Sequence, residues 1–225
     1  MKKSRKLIIV GSSGFAEIAR EYFDADSNYE VVAFSVERNY LQFETLHDLP
    51  VVPFEDLEER FDPKDFDIFV AATYTELNRL RTRLSISAKK KGYRLASYVS
   101  SRAFVWKNVV LGEHCFIFED NTLQPFVKIE NNVIIWSGNH IGHHSTVCEN
   151  CFISSHVVIS GHCIIGKNSF IGVNATLGNN VSIGQDNWVG PGVTITRDTK
   201  MGELYKSYRC DPVKITTTRF FKIKD

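Results

Sequence analysis

The sequence predicts an α/β unit over residues 1–98, a parallel β-helix over residues 99–200 and a C-terminal tail over residues 201–225. Three observations carry this. Strand-like and helix-like patterns alternate up to about residue 98, as in a small βαβ-type sheet. From residue 99 the helical period vanishes, and every sixth residue from Val99 to Ile195 is Val, Ile or Leu without interruption. A companion phase four residues later is mostly small: Ala103, Val109, Cys115, Val127, Ser145, Cys151, Cys163, Ser169 and Ala175.

In the first unit, residues 6–10 form an apolar strand that ends in Gly11-Ser12-Ser13-Gly14. Residues 15–23 have helical spacing, with Ile18, Ala19, Tyr22 and Phe23 on one side. Residues 29–34 and 67–72 read as strands, 49–52 as a weaker strand and 55–61 as a short helix. Residues 75–91 read as a long helix closed by Gly92, whose basic last turn suits the helix dipole. Residues 94–99 read as the last strand of the unit.

A six-residue repeat is the signature of a parallel β-helix. Three hexads make one triangular coil of 18 residues, with the aliphatic residue pointing inward and the second phase filling the other inward position. Coils stack by strand pairing at about 4.8 Å. Burying each aliphatic side chain contributes about 1.5–3 kcal/mol against the entropy of ordering the chain. The small phase also accounts for Cys115, Cys151 and Cys163, so Cys148-Glu149-Asn150-Cys151 reads as structural rather than as a zinc or redox motif. Five cysteines, an odd number scattered late in the chain, make no disulfide framework.

Composition narrows the function classes. The formal net charge of +1 gives no bulk attraction to nucleic acid or to an acidic membrane. No stretch approaches the roughly 20 apolar residues of a membrane span. The opening MKKSRKLIIVGSSG has too short an apolar run for a signal peptide, so the protein reads as soluble and cytoplasmic.

The chemistry points to one place. His140, His143 and His144 fall within five residues of a chain that has seven histidines. Positions 18 apart lie above one another, so His144 stacks on His162 and His143 on Gly161, along one outer edge of the prism. His156 belongs to another face, and His114 and His47 read as ordinary hydrogen-bonding residues. β-Helical carbonic anhydrases, which this architecture resembles, bind zinc through histidines five residues and about two coils apart. No two histidines here have either spacing, so no metal is expected. An imidazole titrates near pH 6.5 and accepts a proton at working pH (about 7). The Gly161 N–H, one coil away, faces the same reacting carbon, and a base beside such a donor is the geometry of acyl transfer.

KLIIVGSSGFAEIAREYF at the N-terminal end, with NHIGHHSTV, IGVNATLG and VGPGV in the repeats, resembles the hexapeptide-repeat acyltransferases. The likeness is to a bacterial group that joins a Rossmann-like domain to a left-handed β-helix and acetylates nucleotide-linked amino sugars, related to sialic acid O-acetyltransferases. The resemblance implies a homotrimer, with acetyl-CoA in the groove between neighbouring β-helices. It makes His143, in Ile141-Gly142-His143, the base, and the Gly161 N–H the oxyanion donor. The family places an acidic residue after that histidine. Here His144 stands there, which keeps His144 and His140 open as alternatives. By the same likeness Gly172, Val173, Gly190 and Pro191 line the pantetheine arm. The usual closing loop is replaced by SYRCDPVKI, where Lys214 is the candidate phosphate contact.

Gly11, Ser12, Ser13 and Gly14 lie between a strand and a helix start, where N–H groups and the dipole favour phosphate. The full GxGxxG is absent, which argues against NAD. A nucleotide-sugar pyrophosphate fits this turn and the following Phe15, with base and ribose near Ser35, Arg38, Thr73 and Tyr74. His140 then faces the sugar. The expected reaction is direct N-acetylation, and the family likeness implies a 4-amino-4,6-dideoxyhexose on dTDP or UDP as the acceptor. The alternatives are O-acetylation of a sugar hydroxyl and a non-catalytic, nucleotide-binding β-helix scaffold.

Overall fold

The structure, a computed structural model, describes residues 2–208 and 211–223. The N-terminal unit runs β1 (Arg5–Val10), α1 (Gly14–Asp26), β2 (Tyr29–Val36), β3 (Thr45–Leu46), β4 (Leu49–Pro53), α2 (Leu57–Arg60), β5 (Phe66–Val70), α3 (Arg79–Lys90) and β6 (Arg94–Leu95). Its sheet has the order β3-β4-β2-β1-β5-β6, with only β3–β4 antiparallel. The strand order reverses around β1, which opens a crevice beyond the carboxyl ends of β1, β2 and β5.

Two sequence expectations shift here. Helix α3 begins at Arg79 rather than at residue 75, because Glu76, Leu77 and Asn78 all take left-handed φ values of 53°, 50° and 68°. That turn is used for docking: the Asn78 side chain donates to the Asn168 carbonyl at 3.2 Å. The expected strand over residues 94–99 splits. Arg94–Leu95 closes the N-terminal sheet, while Tyr98–Val99 pairs with Phe116–Ile117 and opens the β-helix.

From Tyr98 the chain winds into three parallel sheets with an 18-residue register. The first face runs from Tyr98–Val99 through Phe116–Ile117, Ile134–Ile135, Phe152–Ile153, Phe170–Ile171 and Trp188–Val189 to Leu204–Tyr205. Its last strand lies beyond residue 200, inside the segment expected to be tail. The second face includes Thr122–Leu123, His140–Ile141 and Val158–Ile159; the third includes Lys128–Ile129, Thr146–Val147 and Ile164–Ile165. The six-residue aliphatic set forms the interior, and Ile117, Leu123, Ile129, Ile141, Val147 and Ile159 are fully buried. Val99, Val105 and Leu111 are only partly buried, since no coil lies below them. The small phase has a polar use as well. Cys151 Sγ and Cys163 Sγ donate to carbonyls 15 residues later at 3.1 and 3.0 Å, as Ser145 Oγ does at 2.9 Å. Thus the cysteines pack and bridge coils.

Most outward residues of the first face are buried, although Leu204 in its last strand is 59% exposed. Phe116, Ile134, Phe152 and Phe170 pack against Phe15, Phe23 and Phe69 in a second core shared with the N-terminal unit. Helix α3 adds polar stitching. Arg81 is fully buried and donates to the carbonyls of Val70, Asn132 and His114 and to the Asn132 side chain. Burial lowers its guanidinium to about 9, which leaves it charged at neutral pH. His114 is buried in this network, not on the surface. Its Nε2 accepts the Val70 N–H at 3.0 Å and its Nδ1 meets Asn132 Oδ1 at 2.8 Å. Among the described residues, no helix is long and apolar enough to cross a membrane.

Candidate active site

The turn Gly142–Ser145 joins the second and third faces, and it carries both His143 and His144 at an exposed edge. The backbone separates their roles. From residue 114 to residue 192 the turns place one residue at left-handed φ every six positions, a series that includes His114, Asn132, His144, Asn150, His156, His162 and Asn168. Asn, Asp and His are the non-glycine residues that tolerate this conformation best. His144 and His162 therefore fill positions that the fold reserves for such residues. His143 and His140 do not, so the turn backbone gives no reason for either.

His140 lies in a strand of the second face, between Thr122 and Val158, and is half-buried. His143 sits at the edge with its ring against the next coil. A Cβ on Gly161 would lie 2.8 Å from His143 Cε1 and 2.9 Å from its Nε2, so glycine leaves room for the imidazole where it stands and a larger residue would make the ring shift. The main chain of His143 is held by Gln124, whose Oε1 accepts its N–H at 2.9 Å. Its Nδ1 meets His144 Nδ1 at 3.1 Å. His144 is itself fixed in a stack, with Phe126 at 4.5 Å on one side and His162 at 4.8 Å on the other.

The Gly161 N–H departs from its sequence assignment. It donates to Asn179 Oδ1 at 3.0 Å and is not free to hold an oxyanion. What Gly161 supplies is space for the ring. Asn179 and Phe126 were both missed, although each was within reach of the repeat: Asn179 follows Gly161 by one 18-residue coil, and Phe126 precedes His144 by one. His143, His144 and His162 also bring ligand nitrogens within 4.8 Å of one another, through spacings of one and 18 residues.

The second part of the site is the crevice of the N-terminal unit. A cleft of about 460 Å³ is lined by Gly11, Ser12, Ser13, Glu37, Tyr40, Thr73 and neighbouring apolar residues. Gly11 is required here: its φ is +132°, and a Cβ would stand 2.9 Å from the Ala71 carbonyl oxygen. Helix α1 starts at Gly14, and its N-cap Ser13 makes no side-chain capping bond, which leaves the hydroxyl for another partner. Glu37 is gripped by Arg83 through two bonds of 2.7 and 2.9 Å, which hold its carboxyl below the usual value. An acid at this strand end is where ribose hydroxyls are read in such folds.

Four expected contacts lie elsewhere. Phe15 is 5% exposed and packs on Phe69, Phe116, Phe118 and Trp136 as part of the shared core. Tyr74 is 50% exposed and packs edge-on against Phe152 and at a tilt against Phe170 rather than lining the cleft. Ser35 is buried under the sheet edge, and its carbonyl accepts the Gly11 N–H at 2.7 Å. Arg38 turns to Asp56 and Glu55, so Glu37 faces the cleft in its place.

The two parts do not meet within one chain. The N-terminal unit covers the first face, and the His143 edge, between the second and third faces, is opposite to it. Gly172, Val173, Gly190 and Pro191 lie in stacked turns at the edge between the first and second faces. Lys214 is exposed in the C-terminal segment.

A β-helix with a histidine edge, joined to an α/β unit with a phosphate-type turn, defines a two-module acyltransferase. The "Bacterial transferase hexapeptide (six repeats)" family matches residues 126–161, 144–179 and 162–197, and the "PglD N-terminal domain" family matches residues 6–84. The chain resembles the acetyltransferases that join these two modules; it is an acyltransferase, and its β-helix is left-handed. The acetyltransferase domain of PglB from Neisseria gonorrhoeae FA1090 is similar at 25% identity and TM-score 0.80, over 89% of this chain and 96% of that one. PerB from Caulobacter crescentus, in complex with CoA and GDP-perosamine, is similar at 25% identity and TM-score 0.79, over 88% and 92%. WeeI from Acinetobacter baumannii AYE shares the fold at 21% identity and TM-score 0.60, over 89% and 96%. No curated protein matches the sequence.

Proposed function

We propose that this enzyme transfers the acetyl group of acetyl-CoA to the amine of a nucleotide-linked amino sugar, with His143 as general base. The observation that carries the reading is the seat of His143. It is the edge histidine that the turn backbone does not demand, it has a glycine-shaped space for its ring, and its Nδ1 is engaged by His144. With the Nδ1 proton donated to His144, Nε2 is left as the acceptor. His144 thus takes the place of the acidic residue that relatives carry. The likeness to a CoA- and GDP-perosamine-bound protein supports the substrate class.

In the reaction the amine nitrogen attacks the thioester carbonyl carbon and its proton passes to His143 Nε2. The C–N bond forms, the C–S bond breaks, and the thiolate leaves and takes up that proton. We assign the oxyanion contact to the side-chain amide of Asn179, which lies one coil beyond Gly161 and whose Oδ1 accepts the Gly161 N–H at 3.0 Å.

The reaction requires a second copy of the chain. The sugar nucleotide occupies the cleft at Gly11–Ser13 of one protomer, and the base comes from the opposite edge of its neighbour's prism. Acetyl-CoA lies in the groove between them, along Gly172, Val173, Gly190 and Pro191, in a homotrimer. The test is thiol release from acetyl-CoA against a panel of nucleotide-linked amino sugars. We expect turnover with one of them, a product that survives mild alkali as an amide does, and loss of turnover in His143→Ala. Full activity in that variant would sink the assignment.

A further inference from the structure

We propose that His143, His144 and His162 form a binding site for a zinc-class divalent cation, and that the bound cation switches off the transfer reaction. The second half rests on the reading of His143 as the base. The three side chains place one ligand nitrogen each within 4.8 Å of the other two. A tetrahedral zinc with bonds of about 2.0–2.1 Å holds its nitrogens about 3.4 Å apart. The Nδ1 atoms of His143 and His144, at 3.1 Å, already meet that demand. His162 needs only a rotation of an exposed side chain, and its backbone is fixed one coil above His144 with the rings nearly parallel, at 13°. Phe126 backs His144 from the other side, so the site is held on a stack rather than on a loose loop. Three imidazoles without a carboxylate select zinc, nickel or copper over magnesium or calcium.

Inhibition follows from proton bookkeeping on one ring. As a base, His143 keeps its proton on Nδ1 and offers the Nε2 lone pair. A cation that takes the Nδ1 lone pair requires the ring proton to move, through solvent, to Nε2. Nε2 is then a donor and cannot receive the proton of the amine. No other bond changes, and removing the cation restores the base.

The experiment is calorimetric titration of the purified full-length protein with zinc chloride in a non-chelating buffer, alongside His162→Asn. Asparagine occupies the same left-handed position at Asn168, Asn174 and Asn180, so the fold tolerates it. The transfer reaction is followed by chromatography of the acetylated product, because zinc also binds the CoA thiol. We expect zinc affinity to fall at least about tenfold in His162→Asn, since losing a ligand costs no less than losing an outer partner. Half-inhibition, taken relative to each protein's own zinc-free rate, shifts by the same factor, and a chelator restores activity. Equal zinc affinity in both proteins would overturn the site. Weakened binding in the variant with no inhibition of either protein would overturn the switch. An active His143→Ala protein would instead break the reading beneath it.

Discussion

A histidine at a left-handed turn position is cheap for the backbone, whereas one packed over a glycine must be explained by something else. That contrast separates His144 and His162 from His143, and it makes the space above Gly161 testable. Gly161 is not in the left-handed region, so alanine there brings no backbone strain. Its methyl carbon would still stand 2.8 Å from His143 Cε1 and push the ring away. A displacement of about 1 Å at a reacting group costs about a hundredfold. We therefore expect Gly161→Ala to lower kcat/KM by about that factor in steady-state kinetics, with an unchanged far-UV spectrum. Asn179→Ala separates the two candidate oxyanion donors. Removal of the side chain frees the Gly161 N–H, so if that N–H were the donor the rate would hold or rise. With the Asn179 amide as donor, kcat falls about 10²–10³-fold, the cost of one lost oxyanion contact.

Helix α3 shows what hexad reading can and cannot reach. The aliphatic phase repeats at a fixed spacing, so interior residues such as Ile141 and Ile159 were legible one by one from the sequence. The docking surface has no period of its own. Phe116, Phe152 and Phe170 occupy outward strand positions that face water on most β-helices, and only the fold shows that the N-terminal unit covers them. Phe15 was misplaced for the same reason: it follows the phosphate-type turn in sequence but points into that shared core. His114 belongs to this interface and gives it a pH dependence. Burial and the nearby Arg81 guanidinium hold its pKa well below the usual value, with Lys89 adding to the effect and the Asn132 hydrogen bond opposing it. Below about pH 6.5 the unfolded chain takes up a proton at this position that the folded protein refuses. The stabilisation is therefore complete above that pH and is lost as pH falls, by up to about 1.4 kcal/mol per unit. Urea unfolding measured from pH 8 to pH 5 should show this slope, and His114→Asn should lack the part that this one proton contributes. An identical slope in both proteins would remove His114 from the account.

At the scale of the whole molecule the argument turns on a prism with three sides. One side is spent on the N-terminal unit, and the proposed base, His143, stands on the edge farthest from it. On the proposed assignment, a chain acting alone would hold its sugar nucleotide on one side and its base on the other, so that reading calls for a partner copy. This yields a complementation test that no reading of a single site provides. His143→Ala removes the base and keeps the cleft. Thr73→Trp fills the cleft lined by Gly11, Ser12 and Thr73 and keeps the base. Each variant alone should be inactive, with loss of nucleotide binding by calorimetry in the second. When the two are co-expressed in equal amounts and assemble at random in a closed ring, a site is competent when a base from one chain meets a cleft from its neighbour. That occurs at about a quarter of the sites, so about a quarter of the wild-type rate should return. If base and cleft served the same reaction within one chain, mixing would restore nothing, because every chain would carry one broken half.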